Sequence, residues 1–399
     1  MRSLFAYELK KIWQRRILWV SMVLSILLIL ITVGGPLLGS YYVNGERVGS
    51  NYEEFQIDKA YQKALDGRAI DEALISEMQK AYSKVPFEEE KYSQTEAYQK
   101  YARPYSAIYH YVRQTIGLSG SDLVQWEASV DDLHALRQAK MERNWDSILL
   151  TEEEKTYWRA TEETLEKPQV FRYAECYQVL FSAAYSVGCV VLFIVVTCLS
   201  GVFPEEHLRR TDQLILSSKW GRKNIFVAKF AAGAVSAFFL SLVPVLVAVA
   251  VAVLLYGAEG FDAAFQLIYV GNSHPVSVGE AVTIIYIVIV IAGVFMGTLV
   301  MMLSELLHSN ISALAVGIGI ILLPMLFSMP QEYRVLSQLW SYLPGDFVAG
   351  WSCFGMYTVT LFGKIFLPWQ IVPICYIMLG LLFGVVTGHR FVTYQVKGR

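Results

Sequence analysis

The stretch ILWVSMVLSILLILITVGGPLLG, residues 17–39, runs for 23 residues without a charge. A helix needs about 20 mainly apolar residues to cross the hydrocarbon core of a bilayer, so this run reads as a membrane span. The segment before it, MRSLFAYELKKIWQRR, is basic. The apolar run that follows has spanning length and no small-residue cleavage site, so an uncleaved first span is expected rather than a removed leader.

Five further runs of the same kind lie at about 179–202, 225–256, 281–303, 311–328 and 371–388. The composition agrees, being 55% hydrophobic and 17% charged with a mean hydropathy of +0.41. A water-soluble chain of this length needs more polar surface. The fold class expected is therefore an all-α membrane protein with six transmembrane helices. The third run is long enough to tilt, and Pro244 is a candidate kink.

Orientation follows from Lys and Arg near the span ends. Arg2, Lys10, Lys11, Arg15 and Arg16 precede the first span. Arg209, Arg210, Lys219, Arg222 and Lys223 lie between the second and third, and Arg390, Lys397 and Arg399 close the chain. Loop 257–280 has neither Lys nor Arg. Six spans then put both termini and segment 203–224 in the cytoplasm, and place residues 40–178 outside. That outer segment holds 25 acidic and 17 basic residues.

Its pattern is helical. In AIDEALISEMQKAYSKV, Ile70, Leu74, Met78, Ala81 and Val85 recur at three- and four-residue steps. SDLVQWEASVDDLHALRQAKMERNW reads as a second helix capped near Ser121. Thr151 with Glu154 makes a capping-box pattern before a third, which stops near Pro168. The segment is thus an extracytoplasmic helical domain between spans one and two, either a solvated structural module or a receiver of substrate.

Several chemistries are absent. The Gly363-Lys364 pair lacks the upstream glycine of a P-loop, the six histidines form no HExxH, and there is no GxSxG elbow. The five cysteines contain no CxxC, so neither a disulfide framework nor a zinc site is expected. No catalytic residue and no metal site are assigned, and no nucleic-acid partner is expected. The interiors of the six spans are read as free of Asp, Glu, Lys, Arg and His, with Glu280, Glu305 and His389 at their edges. That disfavours an ion-coupled carrier, which commonly needs such groups near mid-membrane. Packing motifs remain: Gly293 with Gly297, and Gly380, Gly384 and Gly388, at four-residue spacing. Such spacing lets helices approach closely, within one subunit or across a seam between two.

Segment FPEEHLRRTDQLILSSKWGRKN, residues 203–224, carries eight charged residues between two strongly apolar runs. Glu205 and Glu206 near its start and Lys219, Arg222 and Lys223 near its end suit a helix macrodipole. Leu208, Leu214, Ile215 and Leu216 are too apolar for a solvated loop. A passive connector, a helix resting on anionic lipid and a docking element for an energy-supplying partner all remain open.

Phe203, Glu206, Arg210-Thr211, Leu214, Leu216-Ser217-Ser218, Arg222, Ile225 and Lys229 resemble a motif in the permease subunits of type-2 ATP-binding-cassette (ABC) exporters. That motif runs Phe-x-x-Glu-x-x-x-Gly-Thr, a leucine-rich turn ending Ser-Ser-Pro, then Arg, an aliphatic residue and Lys. Arg210 replaces its Gly and Lys219 its Pro, which bears on local backbone geometry. A basic amphipathic helix before span one, with Phe5, Leu9, Ile12 and Trp13 opposite Lys10, Lys11 and Arg15, is similar to the family too.

The resemblance implies the following organisation. Residues 1–16 form a cytoplasmic interface helix, 17–39 span one, 40–178 the outer domain and 179–202 span two. Residues 203–224 form a coupling helix, and 225–399 hold spans three to six, with an extracytoplasmic segment at 329–370 and a cytoplasmic tail. It further implies that Glu206, Arg209, Arg210, Thr211, Asp212 and Leu214 meet a separate ABC ATPase subunit, with Glu8, Lys11 and Arg15 as a second contact. ATP and Mg would be bound by that partner and no cofactor by this chain. The other partners expected are a second permease copy, as homo- or heterodimer, and membrane lipids. The expected location is a bacterial plasma membrane, multi-pass. The alternatives are an ion-coupled secondary transporter and a membrane sensor or assembly protein whose outer domain binds a ligand.

Overall fold

The computed structural model describes residues 2–87, 91–127, 129–204 and 221–393. Helices α1 (Arg2–Trp13) and α2 (Arg16–Gly34) open the chain. Strands β1 (Ser40–Val43) and β2 (Glu46–Ser50) pair antiparallel. Helices α3 (Asn51–Leu65), α4 (Glu72–Tyr82), α5 (Ser106–Ile116), α6 (Ser121–Gln125), α7 (Val130–Ser147) and α8 (Glu152–Thr164) follow. The apolar helices α9 (Glu175–Leu199), α10 (Gly221–Tyr256), α11 (Val278–Leu307) and α12 (Asn310–Leu326) come next. Short helices α13 (Arg334–Ser341), α14 (Pro344–Phe347) and α15 (Gly350–Cys353), hairpin strands β3 (Val359–Leu361) and β4 (Lys364–Phe366), and helix α16 (Pro368–Thr393) complete the described chain.

Among the described residues, five helices are long and apolar enough to cross a membrane: Arg16–Leu37, Glu175–Leu199, Arg222–Tyr256, Val278–Leu307 and Pro368–Thr393. The run at 311–328 forms α12, which has 17 residues. At 1.5 Å per residue it rises about 25 Å, short of the ~30 Å hydrocarbon core. The helix through Pro244 is continuous in assignment from Gly221 to Tyr256. The all-α expectation needs two additions, the hairpins β1–β2 and β3–β4. In the first, Asn44 and Gly45 both have positive φ, 50° and 82°. This suits the tight two-residue turn whose twist matches paired strands.

The chain divides into two compact units. The first, residues 1–32, 182–251 and 284–399, holds most of the apolar helices. Lipid gives no hydrophobic drive for helix association, so close packing of small residues supplies it. A β-carbon at Gly293 would lie 2.1 Å from Ser241 Oγ, and one at Gly297 2.7 Å from Ala237 Cβ, so α11 packs on α10 there. Gly380 faces Thr298, Gly384 faces Phe230 and Gly388 faces Phe226, at 3.1, 2.9 and 2.7 Å for an added β-carbon. All five motif glycines thus make close contacts inside one chain. Between α12 and α16 the chain turns inward: Phe347, Val348 and Cys353 are buried, and Tyr376 of α16 donates to Tyr342 O at 2.6 Å.

The second unit, residues 33–181 and 252–283, is discontinuous. Capping boxes start α3 (Ser50 with Glu53) and α8 (Thr151 with Glu154), and Asp71 caps α4. The expected helix from Ser121 is broken: α6 ends at Gln125, and Ser129 caps a new start for α7. Leu74, Ile75, Met78 and Tyr82 form the buried face of α4, with Tyr82 stacked on Tyr109 at 4.1 Å. Loop 257–277 belongs to this core through Arg137. Its guanidinium pairs with Glu162 at 3.0 Å and donates to Val270 O and Asn272 O, while Ser273 donates to Glu162.

Removing one partner of such a buried pair leaves an uncompensated charge. Arg137→Ala is therefore expected to cost this unit about 3–5 kcal/mol. Arg159→Ala, at the more exposed and solvent-screened pair with Glu142, should cost much less. Urea-dependent proteolysis of the full-length protein measures both, and equal losses would contradict the assignment.

His274 adds a pH dependence. It is fully buried against Trp158, with ring centroids 4.8 Å apart, and burial pushes its pKa down to about 3. Between the ordinary value of 6.5 and 3, the unfolded chain takes up a proton that the folded one refuses, so stability falls as pH drops through that window. The acid-side loss of melting temperature between pH 7 and 5 should be smaller in His274→Asn than in the native chain. Burial also lowers the pKa values of His110 and His134, which leaves a residual slope.

Candidate functional site

The residues flanking segment 205–220 converge in the first unit. Phe203, at the end of the run after α9, is 1% exposed. Its ring lies 6.1 Å from Phe226 of α10 and 5.9 Å from Phe391 of α16. Phe226 is also 5.8 Å from Phe391 and stacks on Phe230 at 5.6 Å. On the return side, Arg222 donates to Val392 O at 3.2 Å. The chain thus leaves from, and comes back to, one aromatic cluster built by the segment after α9 and by two helices, α10 and α16.

Lys229 corrects the expectation that the spans are free of charge. It sits two turns into α10, 1% exposed, with its ammonium 5.5 Å from the centre of the Phe203 ring. Glu305, near the end of α11, is also buried. A desolvated ammonium over an aromatic face gains about 2 kcal/mol or more. Phe203 and Lys229 are 26 positions apart in the motif quoted above, and the fold brings them into contact.

The N-terminal helix reaches the same end of the unit. Ile12 is buried, Phe5, Leu9 and Trp13 are half-buried and Lys10 is exposed, as its periodicity predicts, whereas Lys11 is half-buried and Arg15 departs from the expected outer face. Trp13 Nε1 donates to Ser236 Oγ at 3.1 Å, and its ring packs edge-on to Trp19 and Phe239. Glu8 is buried on the apolar side and pairs with Lys11 at 3.2 Å. Arg15 points inward, donating to Cys198 O at 3.4 Å and Gly201 O at 3.2 Å. These are carbonyls at the C-terminal end of α9, where helix dipole and unpaired acceptors favour a cation. Ser200 Oγ meets Asn310 Oδ1 at 2.6 Å, tying in the start of α12.

The structure therefore brings Arg15 to the end of α9, and Lys229 and Arg222 to the mouth of the charged segment. Glu206, Arg209, Arg210, Thr211, Asp212 and Leu214 lie outside the described residues. Sequence reasoning gave no role to Phe226, Phe391, Ser200 or Asn310. The signal for Lys229 was present, since a lone charge inside an apolar run marks a paired or functional group by default.

Residues 2–341 match the family described as ABC-2 family transporter protein. The architecture is that of a multi-pass membrane transport component. More particularly, the chain belongs to the ABC-2 family and is an ABC-2 type permease. No curated protein matches it.

Phe203→Ala would leave a void among Phe226, Phe391 and Lys229, a deletion that costs about 3–5 kcal/mol in a well-packed core. Trypsin cleavage at Arg209, Arg210 and Lys219 should then become faster than in the native protein. An unchanged rate would show that the aromatic cluster does not hold the ends of this segment.

Proposed function

We propose that this chain is the permease subunit of an ABC exporter. A separate ATPase subunit supplies the energy, and a second permease copy completes the pathway. Six spans are read from the apolar runs, with α12 as a short one, and cytoplasmic termini are consistent with the distribution of Lys and Arg. Residues 40–178 are then extracytoplasmic. Segment 203–224 is the docking element for the ATPase, with Glu206, Arg209, Arg210, Thr211, Asp212 and Leu214 as its contact or bracing residues.

The observation that supports this most directly is the clamp at both ends of the segment. Phe203 follows α9, and Phe226 and Phe391 belong to α10 and α16, with Lys229 packed among them. A push on the segment is delivered to those helices rather than absorbed by slack. Arg15 performs the same service for the N-terminal helix, joining it to the carbonyls that end α9. Glu8 and Lys11, paired on α1, form the second contact zone. Closure of an ATPase dimer on bound ATP and Mg then moves the helices between inward- and outward-facing arrangements.

Replacing Arg209 and Arg210 with Glu reverses two charges on the docking element. The doubly substituted chain is expected to insert normally in the membrane and to lose copurification with its ATPase. Retained association overturns the docking role. Transport by the isolated protein in liposomes without ATP would favour a secondary carrier instead.

A further inference from the structure

Helices α7 and α8 are tied antiparallel by a ladder of ion pairs. Asp146 meets Lys155 at 2.7 Å, Glu142 meets Arg159 at 2.5 Å and Arg137 meets Glu162 at 3.0 Å. Beyond the last rung the chain leaves α8 and folds back, and Ile70 N donates to Gln169 O at 2.8 Å. A cavity of about 340 Å3 lies between the two helices, Tyr111 of α5 and residues 165–169. Small-molecule sites occupy about 300–1,000 Å3, so the volume suits a small ligand. All of its walls belong to the second unit.

Among the described residues, two buried polar atoms on these walls lack a partner. Gln169 is 6% exposed, and its Nε2 donates to Glu166 O at 3.0 Å. A carbonyl can only accept, so this bond fixes the amide orientation and leaves Oε1 as a bare acceptor. His134 Nε2 is the second such atom. Buried polar groups are nearly always hydrogen-bonded, so two exceptions on one cavity wall point to a bound group.

The charges state which kind of group. Arg137 and Arg159 are committed to Glu162 and Glu142. Asp131, Glu163, Glu166 and Lys167 also line the cavity, and no ion pair among the described residues uses them. Three carboxylates against one ammonium leave the site net negative, and Gln169 Oε1 adds a buried acceptor. Tyr111, Ala135 and Leu165 supply apolar wall. Acceptors around a charged head, with apolar contact along its stem, suit an alkylammonium or a guanidinium.

We propose that this cavity binds a small organic cation, an ammonium or guanidinium on a short apolar stem. Gln169 Oε1 and the carboxylates of Asp131, Glu163 and Glu166 accept its N–H bonds, and Tyr111 and Leu165 cover the stem. Such a group comes from a free amine or from a basic side chain within a peptide. The site goes beyond the permease reading and does not rest on it, because one compact unit supplies every wall.

The test places the full-length chain in phosphatidylcholine nanodiscs, which carry no net lipid charge and leave both membrane faces open to solution. Binding of Nα-acetyl-lysine methylamide, its arginine counterpart and n-pentylammonium is titrated by saturation-transfer NMR, with empty nanodiscs as the blank. Saturable binding of these cations is expected, and no binding of the norleucine and glutamate counterparts. Gln169→Leu, and Glu163→Gln combined with Glu166→Gln, should each raise Kd at least several-fold, whereas Lys167→Gln should lower it. Glu163, Glu166 and Lys167 are exposed, so those variants keep the test decisive if Gln169→Leu disturbs its surroundings. The tighter of capped lysine and n-pentylammonium names the source of the cation. Absence of saturable binding by every cation, equal binding of the norleucine probe, or Kd values unmoved by these substitutions would each overturn the proposal.

Discussion

The contact on which the membrane unit most depends is the Lys229 ammonium over the Phe203 ring, inside the cluster completed by Phe226 and Phe391. A charged group withdrawn from water costs several kcal/mol unless the surroundings compensate. A ring face recovers part of this, and does so more strongly where water is excluded. The arrangement is directional as well as favourable. A rotation of α10 would carry Lys229 off the Phe203 ring. The start of the segment between residues 203 and 224 is therefore held at a buried charged group of α10.

Close helix packing makes such an anchor stiff. Gly384 and Gly388 of α16 lie against Phe230 and Phe226, two members of the same aromatic column on α10. Gly293 and Gly297 seat α11 against Ser241 and Ala237 further along α10. No larger side chain fits at these four positions, so α10 is gripped on two sides by backbone. Helices held that closely shift as bodies rather than by side-chain slack.

The spans were legible because a bilayer demands long apolar runs, and Arg16–Leu37 or Glu175–Leu199 announce themselves within a residue or a few of their ends. Caps were legible where the chemistry is local, as at Thr151 and Glu154. What depends on distant partners was not. Loop 257–277 joins the second unit through Arg137, more than 130 positions away, and nothing in its own residues states that. From Ser121 the sequence predicts one helix, whereas α6 ends at Gln125 and Ser129 caps the new start of α7. Asn44-Gly45 is a local turn signal that the hairpin β1–β2 uses. At the candidate site the motif named Phe203, Arg222 and Lys229, but not that two of them touch.

Helices α1 and α13 show why periodicity stops short of placement. Both alternate apolar and polar residues at helical spacing. In α1 the apolar side, Ile12 with Leu9 and Trp13, is turned to the protein and Lys10 to the outside. In α13 the apolar side is outward and Gln338 and Arg334 bond inward. A repeat of 3.6 residues states that a helix has two faces, not which of them meets the protein. That choice is made by the surroundings. Beside α1 lies an apolar surface, with Ser236 as the one hydroxyl that Trp13 needs. Beside α13 lie the carbonyl of Thr358 and the Tyr357 ring, which Gln338 and Arg334 meet. A helix docking there must present its polar side, and its leucines are left for whatever solvent lies outside.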